Sequence, residues 1–367
     1  MNEINDMRGY DTLVGLIERY SPTGQESGAV AWLVERMRQL RFTEVAIDEA
    51  GNAVGVMGAG GRQGILLGHI DTVPGEIPVR LESEALFGRG AVDAKGPLAA
   101  FVDAVAEVGS VDGWQWIVVG AVDEEGDSRG ALSILDRYRP AFVIVGEPSR
   151  WDRVTLGYKG SAWSRVTIRR PMAHTAAPEA SACEAAVEYW HAVQDWATEF
   201  NRNQPRVFDQ LTPSLQEWSS GNDGFESWAT LHLGTRLPLG LPPEDWRARL
   251  RALNPQVEVE SDGFATPAYR GEKNSPLARA FLAAIRSQRG EPSFVLKTGT
   301  ADLNIVAPAW SCPAVAYGPG DSSLDHTPRE HLLLSEFAHA RQVLVDVLRK
   351  MASRGGRFPP IPHRTGT

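Results

Sequence analysis

The first 150 positions of the chain contain three short, uninterrupted apolar runs, at 64–67, 116–122 and 142–146. Runs of this length without polar alternation predict strands that are buried on both faces of a parallel sheet. Segments with apolar residues at helical spacing, such as 98–108 and 129–138, alternate with these runs. The alternation predicts an α/β fold in which a mostly parallel sheet carries helices on both faces.

The hydrophobic pattern changes near residue 155 and changes back near residue 268. Between these points, 161–170 and 227–237 alternate like strands with one solvated face, whereas 178–200 and 242–253 have helical spacing. This combination predicts an α+β insert with an antiparallel sheet.

We therefore predict one discontinuous α/β domain, 1–155 and 268–352, interrupted by a smaller α+β domain at 156–267. In the second part of the α/β domain the pattern predicts a helix at 275–288, a strand near 293–296 and a closing helix from about 329 to 352. The last residues, 353–367, are rich in Gly, Pro and Arg, a composition that predicts a flexible tail.

Residues that can bind metal ions follow each of the three apolar runs. Ligands in open α/β sheets collect beyond the carboxyl ends of the strands, so side chains at these positions can converge on one site. Two further candidates lie in the Gly-rich loop 88–97 and in a loop that follows 318–320. The complete set of candidates is His69, Asp93, Glu124, Glu125, Glu147 and His326.

Two histidines with several carboxylates form a ligand set that suits zinc, cobalt or manganese. Carboxylates crowded into one site repel each other strongly without a cation. Two divalent ions about 3.5–4 Å apart would neutralise them and support hydrolysis. Neighbouring residues in an extended segment point in opposite directions, so Glu124 and Glu125 can take separate roles, one as a ligand and one as a base.

Each candidate also has a simpler interpretation when it is considered alone. His69 could be a buried histidine whose ring is satisfied by Asp71, and Glu124 with Glu125 could be a solvated acidic turn. Jointly these interpretations fail, because every candidate lies at a predicted strand end or in a Gly/Pro loop. Glycoside hydrolysis by a carboxylate pair is a further possibility, but it leaves the two histidines unexplained.

The charge and composition of the chain exclude several other function classes. A net charge of −9 argues against general affinity for nucleic acid or anionic membranes. No apolar run approaches the ~20 residues of a membrane span, and the N-terminus is too polar for a signal peptide. Cys183 and Cys312 form no paired ligand motif, so a cytoplasmic protein with two free thiols is expected.

In combination, the motifs resemble those of the M20 family of dinuclear-zinc amidohydrolases and exopeptidases, over residues 8–350. The resemblance implies a metal-dependent amide hydrolase in which 156–267 is a lid and dimerisation domain. The motifs that carry it are 69–71 (His-Ile-Asp), 88–96 (Gly-Arg-Gly-Ala-Val-Asp-Ala-Lys-Gly), 123–125 (Asp-Glu-Glu), 146–148 (Gly-Glu-Pro) and 325–328 (Asp-His-Thr-Pro).

The same resemblance implies a role for each candidate residue. Asp71 would orient His69, and Glu124 would be the general base. His174 would reach the active site of the partner subunit in a homodimer, and Arg236 would bind the substrate carboxylate. The metal ligands would be His69 and Glu147 for one ion, Glu125 and His326 for the other, and Asp93 as the bridge between them.

Within this family, residues 66–101 most closely resemble the hydrolase that releases lysine, or ornithine, from the C-terminal glutamate side chain of an amino-group carrier protein. Asp-Ala-Lys-Gly-Pro at 93–97, where many members carry Asp-Met-Lys-Gly-Gly, and Gly234, where an acidic residue is usual, weaken assignment to the desuccinylase and deacetylase branches. A small-molecule N-acyl-amino-acid deacylase, a dipeptidase and an inactive dimeric scaffold stay as alternatives.

Overall fold

The computed structural model describes residues 9–353, except Thr175 and Ala177. These residues form two compact units. Unit 1 comprises the chain up to Gly157, Gly271–Val295 and the chain from Ala301 onward, whereas unit 2 comprises Tyr158–Arg270 and Leu296–Thr300. The five-residue segment that joins unit 2 from a distant part of the chain was not predicted. The predicted tail at 353–367 lies outside the described residues apart from Ser353, which ends a helix.

The helices are α1 (Asp11–Ile17), α2 (Ser27–Gln39), α3 (Lys95–Val108), α4 (Arg129–Ser133), α5 (Ala182–Asn201), α6 (Pro243–Leu253), α7 (Pro276–Ser287), α8 (Leu303–Trp310) and α9 (Leu334–Ser353). The strands are β1 (Glu44–Ile47), β2 (Ala53–Met57), β3 (Arg62–His69), β4 (Arg80–Glu82), β5 (Ala85–Phe87), β6 (Trp114–Ala121), β7 (Phe142–Gly146), β8 (Arg153–Tyr158), β9 (Gly160–Pro171), β10 (Thr212–Asn222), β11 (Glu226–Leu237), β12 (Glu258–Ser261), β13 (Tyr269–Arg270), β14 (Ser293–Lys297), β15 (Ala314–Ala316) and β16 (His331–Leu333).

The main sheet of unit 1 has the strand order β1-β2-β6-β3-β7-β15-β8. Its centre is parallel, because β3 pairs in parallel with β6 and β7, and β7 pairs in parallel with β15. Strands β1 and β2 extend one side in antiparallel pairs. The register aligns the strand ends: His69 lies opposite Ala121, and Gly68 lies opposite Gly146. Residues that follow β3, β6 and β7 therefore leave the sheet at one edge, and the predicted α/β fold with a largely parallel sheet is confirmed.

Helix α3 packs closely over the central strands because two glycines leave room for it. A Cβ atom at Gly68 would lie 3.1 Å from Leu98, and one at Gly146 would lie 2.9 Å from Phe101. Both α3 side chains are fully buried. This close approach places the start of α3, and the loop before it, beside the carboxyl ends of β3 and β7.

Unit 2 is built on an antiparallel sheet of order β10-β11-β9-β12. The buried residues of β9 and β11 alternate along each strand and pack with buried residues of α5 and α6. Helix α5 starts at a capping box, in which Ser181 Oγ accepts from Glu184 N and the Glu184 carboxylate accepts from Ser181 N. The opposite face of the sheet carries charged side chains.

The sequence patterns misplaced the bounds of some helices and missed several other elements. The helix predicted at 129–138 is only the five-residue α4, and α3 begins at Lys95, three residues before the predicted start. Strands β8 and β10 and helix α8 were not predicted. Strand β10 is partly exposed along its length, so its apolar periodicity is weak, and α8 contains Pro308.

Within the described part of the chain, no helix is long and apolar enough to cross a membrane. Cys183 and Cys312 are both free, as predicted.

Candidate metal centre

Asp93 lies between the two predicted histidine ligands. Its Oδ1 is 3.2 Å from His69 Nε2, and its Oδ2 is 3.0 Å from His326 Nε2. His326 Nε2 is also 3.0 Å from Glu125 Oε1. Asp93, Glu125 and His326 each offer a ligand atom within 4.8 Å of the others. One carboxylate thus faces a histidine on each side, within a single cluster in unit 1.

Asp71 is fully buried and contacts both His69 and the backbone of the Glu124–Glu125 segment. Its Oδ1 lies 3.4 Å from His69 Nδ1, which is also 3.0 Å from the backbone oxygen of Asp71. The same carboxylate accepts hydrogen bonds from the backbone nitrogens of Glu124 and Glu125, each at 3.1 Å, and from Thr23 Oγ1 at 2.9 Å. The sequence predicted the contact with His69, but not the two amide contacts that anchor the acidic segment.

The loop before α3 positions Asp93 through a tight turn at Gly90. Gly90 has a φ of 84°, and its carbonyl accepts hydrogen bonds from Lys95 N at 2.8 Å and Gly96 N at 3.4 Å. A Cβ atom at Gly90 would lie 2.9 Å from both Lys95 Cδ and Thr72 Cγ2. Only glycine suits this backbone conformation and this space.

Three residues other than glycine near the centre also adopt a left-handed backbone conformation. Asp123, Ser128 and His326 have φ values of 66°, 52° and 61°. Such conformations are costly for residues with a Cβ and cluster at functional sites. Asp123 and Ser128 bracket the Glu124–Glu125 segment, and Ser128 N donates to Asp123 O at 2.6 Å, which closes the turn.

The electrostatics of the histidines show how strongly the carboxylates act on them. Burial alone would lower the pKa of His69, but its contacts with Asp71 and Asp93 outweigh burial and raise this pKa well above its ordinary value. Contacts with Asp93 and Glu125 raise the pKa of His326 to about 10. Burial opposes ionisation of Asp93, yet the two histidines hold its pKa far below the ordinary range. The carboxylates therefore favour the protonated, positively charged form of both histidines.

The surroundings of Glu124 strongly affect the pKa of its carboxyl group. Burial raises the pKa of Glu124 well above its ordinary value, and the charges of Glu147 and Asp302 add to the effect, whereas His69 opposes it. A carboxylate with this environment is poised to take up a proton once nearby cations keep it ionised.

The chemistry of the donor set fits a pair of divalent ions. Imidazole nitrogens and carboxylate oxygens converge on both sides of Asp93, and these are the donor atoms that zinc and similar divalent ions take. Asp71, which contacts the other ring nitrogen of His69, is the type of partner that orients a ligating histidine.

The remaining predicted residues lie in different places. Glu147 is buried directly after β7, and its charge acts on Glu124. His174 is exposed in unit 2, and its Nδ1 accepts a hydrogen bond from Ala176 N at 3.2 Å. Arg236, near the end of β11 in the same unit, donates from Nη1 to Thr300 Oγ1 at 3.0 Å. Their predicted roles stay predictions.

Sequence reasoning missed three buried residues around the centre: Lys95, Asp302 and Glu330. Burial raises the pKa of Asp302 to about 7, and its Oδ1 has no hydrogen-bond partner among the described residues. Burial lowers the pKa of Lys95 to about 7, while its Nζ donates to Arg19 O at 2.6 Å. Asp302 follows a predicted strand in a turn-rich segment, the same signal that identified the other candidates.

Curated relatives are similar over nearly the whole chain. A LysW-lysine hydrolase from Deinococcus radiodurans is 41% identical over 343 residues, which cover 90% of this chain and 93% of the relative. A LysW-lysine/LysW-ornithine hydrolase from Saccharolobus islandicus is 26% identical over 341 residues, which cover 91% of this chain and 93% of the relative.

A solved structure supports the fold. The M20 family metallo-carboxypeptidase from Sulfolobus solfataricus superposes with a TM-score of 0.75 at 15% identity, covering 96% of this chain and 100% of that chain. Residues 65–350 match the peptidase family M20/M25/M40. The family predicted from the motifs is confirmed: the chain belongs to peptidase family M20/M25/M40 and is a hydrolase of carbon–nitrogen amide bonds.

Proposed function

We propose that this protein is a two-metal amide hydrolase that releases lysine, and also ornithine, from the glutamate side chain at the C-terminus of an amino-group carrier protein. The observation that carries the hydrolytic part is the position of Asp93, whose two oxygens face His69 and His326 at 3.2 and 3.0 Å. The two relatives support the proposed substrate, because both are named as hydrolases of a LysW-linked amino acid.

In the proposed centre, one ion would lie on each side of Asp93. His69 and Glu147 would hold the first, Glu125 and His326 would hold the second, and Asp93 would be shared by both. We propose zinc for both positions, with cobalt or manganese able to replace it, because imidazole and carboxylate donors suit all three metals. When bound, the ions supply an acidified water and a Lewis acid that polarises the amide carbonyl.

Glu124 is the proposed general base. Its backbone nitrogen is fixed by Asp71 at 3.1 Å, so the carboxylate starts from an anchored main chain. A Glu124 oxygen accepts the proton of the attacking water and then delivers it to the leaving α-amino group of lysine. Burial raises the pKa of Glu124, and the charges of Glu147 and Asp302 add to the rise, so its surroundings favour uptake of a proton.

Two residues of unit 2 complete the proposal. Arg236 pairs with the α-carboxylate of the lysine moiety, because a guanidinium binds a carboxylate bidentately. His174 of a second copy donates a hydrogen bond to the developing oxyanion, in a homodimer formed through unit 2. The exposure of His174 is compatible with this role.

A panel of substrates tests the function. The purified, zinc-loaded protein is offered carrier-linked lysine, carrier-linked ornithine, N-acetylornithine and N-succinyl-diaminopimelate, and the free amine is quantified. We expect release from the carrier-linked substrates with kcat/KM at least tenfold above the small molecules. Preference for a small N-acyl substrate would establish a deacylase instead, and release from none of them by metal-loaded protein would favour the inactive scaffold.

Subunit mixing tests the role of His174. A His174→Ala chain and a Glu124→Gln chain are each expected to be nearly inactive. If His174 acts across subunits, one of the two sites in a mixed dimer has an intact Glu124 and an intact His174, so part of the activity returns. Native mass spectrometry confirms that subunits exchange. Confirmed exchange with activity at the parental background would contradict the cross-subunit role.

A further inference from the structure

A buried ion pair joins two segments that carry proposed metal ligands. Arg89 Nη1 lies 2.9 Å from Glu330 Oε2, with 7% and 1% of the two side chains exposed. Strand pairing brings the two residues together, because β16, which follows Glu330, runs antiparallel to β5, which precedes Arg89. Gly88 N also donates to Glu330 O at 3.4 Å.

The second carboxylate oxygen of Glu330 holds the backbone of Asp93. Glu330 Oε1 accepts hydrogen bonds from Val92 N at 2.9 Å and from Asp93 N at 3.0 Å. Hydrogen bonds from backbone amides to a buried carboxylate are short and strong. The position of the Asp93 main chain therefore depends directly on Glu330.

Arg89 binds the backbone next to His326, the second of the two ligands. Its Nη1 donates to Thr327 O at 3.3 Å, next to His326, and its Nε donates to Gly75 O at 2.8 Å. Arg89 thus connects the backbone beside His326, through Glu330, to the backbone of Asp93. Between the two ligand side chains, Asp93 Oδ2 and His326 Nε2 are 3.0 Å apart.

We propose that Arg89 and Glu330 are positioning residues that set the separation of Asp93 and His326 for the second metal ion. The inference rests on the proposed metal centre. Neither side chain enters the ligand cluster, since their polar atoms are used by each other and by main-chain groups on both segments. A buried ion pair adds little net stability compared with a neutral replacement, so its expected contribution is geometric.

The deciding variant is Arg89→Met/Glu330→Gln. Glutamine keeps a carbonyl oxygen for the amides of Val92 and Asp93, and the double change leaves no unpaired buried charge, but it cuts the connection to Thr327. We expect a melting temperature close to wild type for the metal-free protein. Zn²⁺ affinity, measured by competition with a chelator, should fall 10–100-fold at one of two sites. For carrier-linked lysine, kcat should fall with little change in KM.

Arg89→Lys gives a second, gentler test, which also decides the question if the double variant does not fold. Lysine keeps a charge for Glu330 but cannot reach Gly75 O and Thr327 O with a planar fork. We expect a melting temperature near that of wild type. The Zn²⁺ affinity should lie between those of wild type and the double variant. Wild-type affinity and kcat in Arg89→Lys would overturn the inference in that case.

An exposed ion pair in unit 2 provides a control for the loss of an Arg–Glu pair as such. The pair Arg165–Glu260 in unit 2, 2.7 Å apart, is replaced in the same way as Arg165→Met/Glu260→Gln. This control should keep Zn²⁺ affinity and kcat. Wild-type Zn²⁺ affinity and kcat in Arg89→Met/Glu330→Gln would overturn the inference while leaving the proposed function intact. Failure of wild-type protein to bind two Zn²⁺ ions would instead overturn the proposed centre.

Discussion

Charged residues occur in both units, but they behave differently at the strand ends of unit 1 and on the outward face of the sheet in unit 2. In unit 1, acidic and histidine side chains converge beyond parallel strands, where His69, Asp93 and Glu125 are mostly removed from water and His326 is half exposed. In unit 2, cross-strand pairs such as Arg165–Glu260 and Arg169–Glu258 lie on an exposed face, with Arg165 and Glu260 44% and 60% exposed.

The difference shows what turns a set of charged residues into a reactive site. On the outward face of unit 2, these two arginines meet glutamates on the adjacent strand, and both partners stay in contact with water, which screens their charges. In unit 1 several carboxylates share one region, and their contacts with His69 and His326 raise the pKa of both histidines. Parallel topology causes the convergence, because it brings all strand ends to the same edge.

The largest effect is expected for Glu124→Gln. Removal of a general base typically lowers kcat by ~10²–10⁴, and both metal ions should remain because Glu124 is not a proposed ligand. Metal analysis and steady-state kinetics on the same preparation test this directly. Turnover near wild type in a protein that holds two ions would refute the proposed role of Glu124.

Asp93→Ala should have the next largest effect, on metal content. Among the residues that the structure describes, only Asp93 faces both His69 and His326, so its loss should remove more metal than Glu147→Ala or His326→Ala. Elemental analysis of the three variants after identical dialysis measures the difference. Two ions that stay tightly bound in Asp93→Ala would show that this carboxylate does not bridge.

Asp103→Asn tests how burial affects a carboxyl group that is not part of the ligand cluster. Asp103, in α3, accepts a hydrogen bond from Thr12 Oγ1 at 2.5 Å, and burial raises its pKa from 3.8 to about 6. The folded state therefore binds more protons than the unfolded state between pH ~4 and ~6, so stability falls as pH rises through this window. Asp103→Asn, which still accepts from Thr12, should remove up to about 3 kcal/mol of this pH dependence.

Urea unfolding at pH 4 and pH 7 provides the measurement for Asp103, with the wild type as reference. The variant should gain stability relative to wild type at pH 7 and show little advantage at pH 4. An identical pH dependence in both proteins would mean that Asp103 is not responsible.

The smallest effect is expected for Arg165→Ala in unit 2. Arg165 pairs with Glu260 on an exposed face, where water and salt screen the interaction. The midpoint of urea unfolding and kcat should both match wild type within experimental error. A clear decrease in the urea midpoint or in kcat would show that Arg165 contributes to stability or to activity.

Sequence patterns were sufficient wherever a residue follows a long, fully buried strand. The run 142–146 corresponds to β7 at both ends, and the position of Glu147 followed from it. Convergence of His69 with Asp93 was also predictable, because parallel strands and the loop before α3 share an edge. Glu330 could not be recognised with equal ease, since a single acidic residue after a turn more often caps a helix or faces solvent.

The sequence by itself determined the α/β class, the family and the set of chemically competent residues, because apolar periodicity and motif composition are local properties of the chain. Only the tertiary structure decided which oxygen of Asp93 faces which histidine. It alone also showed that Asp71 anchors two backbone amides and that Arg89 is buried against Glu330, 241 positions away. These contacts depend on strand register and loop closure between distant segments, which no local pattern encodes.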